Sequence, residues 1–324
     1  MTAFELTRLL PGDHFAQALR ADVRHGLTAP AKSLPPKWFY DKRGSELFED
    51  ITRLPEYYPT RAERAILTAR ATEIAQATKA RTLVELGSGS SEKTRLLLDA
   101  LRTLGTLDTY VPVDVSESAL REAGHALAAD YPELAVHGVV SDFTASLALP
   151  RAVHGPRLVA FLGGTLGNLL PVERAGFLSA LRAELSHGDA LLLGTDLVKD
   201  PAVLVAAYDD AAGVTAEFNK NVLNVLDREL QAGFDPDDFD HVALWDAEQE
   251  WIEMRLRSRR AQRVPIPALG LTVEFAAGEE LRTEVSAKFR RERVAEELHA
   301  AGFALRHWWT DPEGRFGLSL AEPV

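Results

Sequence analysis

Between His14 and Thr28 apolar residues recur about every four positions, at Phe15, Leu19 and Val23, and this spacing predicts a short amphipathic helix. Pro35 and Pro36 then fix an extended path into three consecutive aromatics, Trp38-Phe39-Tyr40, which need cover from elsewhere in the chain. A loop over a pocket is one reading of that run. A short helix through Leu47 and Phe48 leads to a second proline-bracketed aromatic turn, Pro55-Glu56-Tyr57-Tyr58-Pro59. Thr60-Arg61-Ala62-Glu63 has the form of a capping box and is predicted to open a helix running to about residue 77.

From Thr82 the pattern changes. Short apolar runs at 82–86, 110–115, 135–140, 158–162 and 190–193 are separated by helix-patterned segments, the signature of βαβ units and a parallel sheet. After Lys199 the alternation stops: a helical stretch spans about 203–230, and strands with an in-out alternation follow. Ile252, Met254 and Leu256 share one strand face, with Glu253, Arg255 and Arg257 on the other. Residues 288–320 return to a helix, Gly302 and two strand-like runs. The expected organisation is an α/β domain of residues 62–197 and 288–324, carrying an inserted α+β region, 198–287, that is joined by the N-terminal arm, 12–61. There is no internal repeat and no low-complexity linker.

A chain of 324 residues with 46% hydrophobic composition can bury a full core. Its 36 Lys and Arg against 48 Asp and Glu give a net charge of −12, which opposes nucleic acid and anionic membrane as partners and favours a small molecule. The absence of cysteine removes disulfides, thiolate metal ligands and a thiol nucleophile together, and the expected compartment is the cytoplasm. Residues 1–14 contain Glu5 and Asp13 and no sustained apolar segment, so they do not read as a secretory signal. No stretch reaches the roughly 18 apolar residues a membrane span requires. None of the nine histidines pairs with another at His-x-His or His-x-x-His spacing, so no locally built metal site is expected.

The most informative string is Val84-Glu85-Leu86-Gly87-Ser88-Gly89-Ser90-Ser91-Glu92-Lys93-Thr94, an apolar run entering a glycine-rich turn before a helix. A dinucleotide fingerprint needs a third glycine where Glu92 stands. Gly87 and Lys93-Thr94 have the spacing of a phosphate-binding P-loop, but Glu92 again replaces the required glycine and brings a negative charge. S-adenosylmethionine carries a sulfonium and an ammonium and no phosphate, so it tolerates nearby carboxylates such as Glu85. The Glu-x-Gly-x-Gly form suits that donor best, with a ligand-free tight turn as the bland alternative.

Two further acids stand where a nucleoside would meet them. Asp114 lies 114 − 87 = 27 positions beyond Gly87, at a strand end suited to ribose hydroxyls, and Asp142-Phe143 follows the third run, suited to an adenine. Gly163-Gly164-Thr165-Leu166-Gly167-Asn168 brings backbone close to a ligand and then offers a neutral amide, a partner for an amino-acid carboxylate. In Thr283-Glu284-Val285-Ser286, alternation puts Glu284 and Ser286 on one side, where they can grip the two nitrogens of an imidazole; a solvated strand face is the commoner fate of such a pair.

On these residues the sequence resembles the histidine Nα-methyltransferases of ergothioneine biosynthesis. The match runs nearly end to end and includes residues 32–40, Leu54-Pro55-Glu56-Tyr57-Tyr58-Pro59-Thr60, residues 84–95, Gly194-Thr195-Asp196-Leu197-Val198-Lys199-Asp200 and residues 283–289. The resemblance implies a Rossmann-like class I methyltransferase sheet with a second, inserted substrate domain. It implies S-adenosylmethionine as cosubstrate without a metal, and trimethylation of the α-amino group of L-histidine to hercynine through mono- and dimethyl intermediates; a monomer is the expected state. Family contacts to the donor fall on Gly87, Lys93, Asp114, Asp142 and Phe143, and contacts to the substrate on Tyr57, Asn168, Tyr208, Glu284 and Ser286. Aromatic rings can surround the resulting permanent cation; Tyr40, Phe48 and Tyr57 are the candidates, with Tyr40 nearest the amine as the catalytic candidate. The one length change, around 149–155, reads as a surface loop. Three alternatives remain: a same-family enzyme acting on tryptophan or another amino acid, a phosphotransferase, and a non-catalytic adenosylmethionine-binding protein.

Overall fold

The computed structural model describes residues 4–9, 12–142 and 155–324, so Phe143 and most of the 149–155 loop lie outside the described residues. The chain divides into two compact units, one of Met1–Leu10, Pro59–Val198 and Lys288–Val324, the other of Pro11–Tyr58 and Lys199–Ala287.

In the first unit the described residues form an eight-stranded sheet. Its order is Glu5–Arg8, Ala135–Val140, Thr109–Asp114, Thr82–Leu86, Arg157–Phe161, Ala190–Asp196, Phe316–Pro323, Phe303–Thr310. The first six strands run parallel to their neighbours, and Phe316–Pro323 lies antiparallel between Ala190–Asp196 and Phe303–Thr310. Strands Thr82–Leu86 and Ala190–Asp196 are buried along their whole length. Burial on both faces explains why the sequence shows them as unbroken apolar runs rather than as alternation. This is the expected α/β, Rossmann-like class I arrangement. The strand Glu5–Arg8 was not foreseen: it is four residues long and mostly exposed, too little for any periodicity.

The helix after the second aromatic turn spans Pro59–Thr78, but Glu63 does not close a capping box. Its carboxylate is fully buried and accepts from the Gly163 amide at 2.9 and 3.0 Å, while Lys93 pairs with it from the other side. A capping glutamate would sit at the water's edge, whereas a helix packed into the sheet turns this one inward.

The second unit holds helices His14–Thr28 and Lys42–Arg53, and the expected stretch 203–230 is two helices, Pro201–Tyr208 and Val214–Leu230. Asp210 makes the break, accepting from the amides of Val214 and Thr215 at 3.0 and 2.7 Å, and Gly213 enters the second helix at φ 78°. Strands Phe239–Asp246, Trp251–Ser258 and Glu280–Ala287 form an antiparallel sheet with Trp251–Ser258 central. Ile252, Met254 and Leu256 are buried as expected, but Glu253 on the opposite face is buried too, held by Trp251 Nε1 at 3.0 Å and Arg255 Nε at 2.7 Å. Among the described residues no helix is long and apolar enough to cross a membrane.

Candidate active site

Gly87 and Gly89 adopt φ 71° and 48°, and Ser91, which has a Cβ, is held at φ 56°. Left-handed backbone folds the turn back on itself, and only glycine takes it without strain. The Gly87 amide donates to Val113 O at 2.8 Å, which pins the turn to the end of the neighbouring strand. Asp114, one residue on, accepts from the Gly89 amide through Oδ2 and from the Ser116 amide through Oδ1, both at 2.9 Å. Burial raises its carboxyl above the usual range and these amides oppose the rise. Each oxygen keeps a lone pair for a further donor such as a ribose hydroxyl.

Glu85 lies beneath the turn. Its carboxylate takes hydrogen bonds from Thr94 Oγ1 and from the Tyr110 hydroxyl, which is also 2.8 Å from Ser91 Oγ. With 4% exposure, Glu85 ties the strand to both limbs of the turn. Burial pushes its carboxyl up to about 7 from 4.5. A raised folded-state value favours the protonated form, so the contribution to stability is full below pH 4.5 and is lost as pH rises through about 7. Glu85→Gln is therefore expected to flatten the pH dependence and, near pH 8, to gain up to about 3 kcal/mol on wild type, from 7 − 4.5 = 2.5 units. Denaturation midpoints that fall in parallel for both proteins from pH 5 to 8 would contradict this.

Glu63 joins the turn to the next loop, because Lys93 and the Gly163 amide share its carboxylate. The neighbouring strand must be bare at Gly194, where a Cβ would stand 2.2 Å from Glu63 Oε1. After Gly163 and Gly164 the single turn Thr165–Asn168 presents Asn168, half-buried. Fully buried Arg174 donates to the carbonyl of the next residue, Leu169 O, at 2.9 Å and grips Glu297 with two bonds of 3.0 and 2.9 Å. Asp142 is buried at the end of its strand. Thus Gly87, Lys93, Asp114 and Asp142 all lie at the C-terminal ends of adjoining parallel strands or in the turn after them, the edge where open α/β sheets take ligands.

The residues present fit S-adenosylmethionine. Ser88 Oγ, at the centre of the turn, is buried without a hydrogen-bond partner, which leaves a polar atom for a ligand to satisfy. Among the described residues no group of His, Asp or Glu is arranged to hold a metal.

The second unit brings together most of the residues assigned to substrate. Tyr208 ends its helix with its hydroxyl 2.7 Å from Ser286 Oγ, and its ring lies 6.4 Å from that of Tyr57. Strand register sets Glu284 opposite Met254 and Ser286 opposite Ile252, so all four point to one side of the sheet. Glu284 and Ser286 are 9% and 5% exposed, which removes the solvated-face reading. Rings of Tyr40 and Phe48 meet edge to face at 5.5 Å, and Phe48 meets Tyr57 at 6.2 Å. Phe218 completes this cluster, 5.6 Å from Tyr40 and 6.0 Å from Phe48. Sequence reasoning missed Phe218, one apolar position among many on an amphipathic helix, and missed Glu63 by reading it as a cap.

A family model described as histidine-specific methyltransferase, SAM-dependent, matches residues 19–323. A histidine N-alpha-methyltransferase of Mycolicibacterium smegmatis is 60% identical over 317 residues, covering 98% of each chain. Its namesake from Mycobacterium tuberculosis is 59% identical over 305 residues, 94% of each chain. Ergothioneine biosynthesis protein 1 of Neurospora crassa is 36% identical over 196 residues, which span 59% of this chain and 22% of that protein.

Proposed function

Because this chain belongs to the histidine-specific, SAM-dependent methyltransferases, we propose that it methylates the α-amino nitrogen of L-histidine three times, giving hercynine for ergothioneine biosynthesis. The observation that carries the reading is the near-complete, high-identity match to proteins named for this reaction, joined to an acid and a hydroxyl on one buried strand face. S-adenosylmethionine supplies an electrophilic methyl group on sulfonium, and the residues of this chain do the rest.

Gly87, Ser88, Lys93, Asp114 and Asp142, with Phe143 from outside the described residues, are the proposed donor contacts. Asp114 offers acceptors for hydroxyls, and Ser88 gains the partner it otherwise lacks. The Asn168 amide suits the substrate carboxylate, since it bonds an anion without itself carrying charge. Glu284 would accept from one imidazole N–H, and Ser286, braced by Tyr208, would meet the other ring nitrogen.

Displacement at methyl needs a neutral amine held in line, whereas an α-amino group has a pKa of about 8 or above. Water can take the proton, and no strong base is required. The mono- and dimethyl products must bind again, and after the last transfer the nitrogen is a fixed cation without N–H. The rings of Tyr40, Phe48 and Tyr57 can surround such a cation without hydrogen bonds, with Tyr40 assigned the place nearest the amine.

Mass spectrometry after incubation with S-adenosylmethionine and a panel of free amino acids tests the proposal. Histidine is expected to gain mass in methyl steps up to the trimethyl betaine. Conversion of tryptophan with histidine left untouched would overturn the substrate assignment, and donor binding without any methylated product would favour the non-catalytic reading.

A further inference from the structure

Against the same sheet face that carries Glu284 and Ser286, since register sets His241 opposite Leu256, lies a buried polar pair with no role so far, His241 and Asn219. His241 stands on strand Phe239–Asp246 with its side chain 3% exposed, and Asn219 stands fully buried on helix Val214–Leu230. Asn219 Nδ2 is 2.8 Å from His241 Nδ1 and 3.1 Å from Arg255 O, and Asn219 Oδ1 accepts from Thr283 Oγ1 at 2.6 Å. His241 Nε2 is 2.8 Å from Tyr208 O.

These contacts allow one protonation pattern. A carbonyl only accepts, so the end of the Asn219 amide facing Arg255 O is the NH2, and its second hydrogen points at His241 Nδ1. Nδ1 is then the bare nitrogen, and Nε2 carries the hydrogen it donates to Tyr208 O. A protonated ring would set two donors against each other at Nδ1. Burial, the largest influence, lowers the imidazole pKa although Asp209 and Asp210 act to raise it, in keeping with a neutral ring.

The two ends of this network are the elements that carry the substrate residues. At one end, Tyr208 is the last residue of its helix, where a carbonyl has no partner within the helix, and His241 provides one. At the other end, Thr283 occupies the register shift between Arg282 and Glu284, and its hydroxyl also lies 3.0 Å from Met254 O. A one-residue slip there would turn Glu284 and Ser286 to the opposite face.

We infer that Asn219 and His241 are positioning residues that lock the end of the Tyr208 helix and the Thr283 bulge, and so set the amino-acid side-chain pocket. The inference rests on the proposed substrate role of Tyr208, Glu284 and Ser286. It is specific about which atoms matter: the Nε2 hydrogen of His241, rather than the bulk of its ring, holds Tyr208.

The test uses the full chain with His241→Phe, His241→Gln, Asn219→Ser and, as a control on the reading beneath it, Glu284→Ala. Steady-state KM and kcat for histidine are measured beside calorimetric affinity for S-adenosylmethionine and a melting curve. His241→Phe fills the ring volume and removes both hydrogen bonds; it is expected to raise KM for histidine about fivefold or more while donor affinity stays within about twofold. His241→Gln keeps an N–H near the Nε2 position and is expected to recover most of that loss. Should His241→Phe fail to fold, Asn219→Ser carries the test and is expected to show the same split between histidine and donor.

A folded His241→Phe, or an Asn219→Ser standing in for it, with KM within twofold of wild type while Glu284→Ala impairs histidine, would overturn the inference alone. So would a His241→Gln as impaired as His241→Phe, or a loss of donor affinity in step with the loss of histidine. Unchanged histidine kinetics in folded Glu284→Ala would overturn the substrate reading and the inference with it.

Discussion

Glu63→Ala is expected to lower the thermal midpoint by roughly 6 to 12 °C and to weaken binding of S-adenosylmethionine by at least about tenfold. The carboxylate is fully buried, and its deletion strands the Gly163 amide and the Lys93 ammonium together. Breaking a buried ion pair from one side costs about 3 to 5 kcal/mol. The low end applies here because Lys93 retains 22% exposure and can draw in water. At roughly 2 to 4 °C per kcal/mol for a unit of this size, about 3 kcal/mol gives the stated shift. Donor affinity is expected to fall with it, since the proposed donor contact Lys93 and the Gly163 loop lose their common anchor. Glu63→Gln separates the two contacts: its amide oxygen can still accept from Gly163, but nothing balances the lysine charge, so an intermediate loss is expected. Scanning calorimetry and donor titration read both quantities, and a folded Glu63→Ala with wild-type midpoint and affinity would reduce Glu63 to packing.

The distance between Glu63 as a capping residue and Glu63 as an anchor marks where sequence reasoning ran out. Periodicity reports which residues face a core, and it placed the parallel strands and the strand Trp251–Ser258 because each has a clear apolar signal. It carries no information on which polar group meets which across 100 positions, the separation of Glu63 from Gly163. The helix break at residues 209–213 escaped for a related reason: Asp210 and Gly213 read as ordinary members of an apolar stretch until Asp210 is seen accepting from two amides. The glycine turn, by contrast, was legible down to its ligand class, because the chemistry that disfavours phosphate and a dinucleotide is written in one residue, Glu92. Glu284 lay between these cases. Its neighbours indicated a strand and its side, but not that the face is covered; that follows from register, which sets it against Met254.

Glu284→Ala is expected to lower kcat/KM for histidine by at least about tenfold while donor affinity stays nearly unchanged. If the carboxylate accepts from the imidazole, its removal forfeits a charge-assisted hydrogen bond and leaves a ring N–H unsatisfied in a buried setting, and about 1.4 kcal/mol already corresponds to tenfold. Burial sharpens the argument, because at 9% exposure water cannot readily replace the lost partner. The same burial makes the carboxylate costly to desolvate against an apolar ring, so the variant is expected to accept phenylalanine or tryptophan better than wild type does. Met254, directly opposite in register, is the next residue to shorten if a larger ring is to be admitted. Steady-state comparison of histidine, phenylalanine and tryptophan for both proteins, with a melting curve alongside, decides the matter. A folded variant with wild-type histidine kinetics removes Glu284 from the pocket; one that loses all three amino acids and the donor equally has lost the fold of the strand rather than a contact.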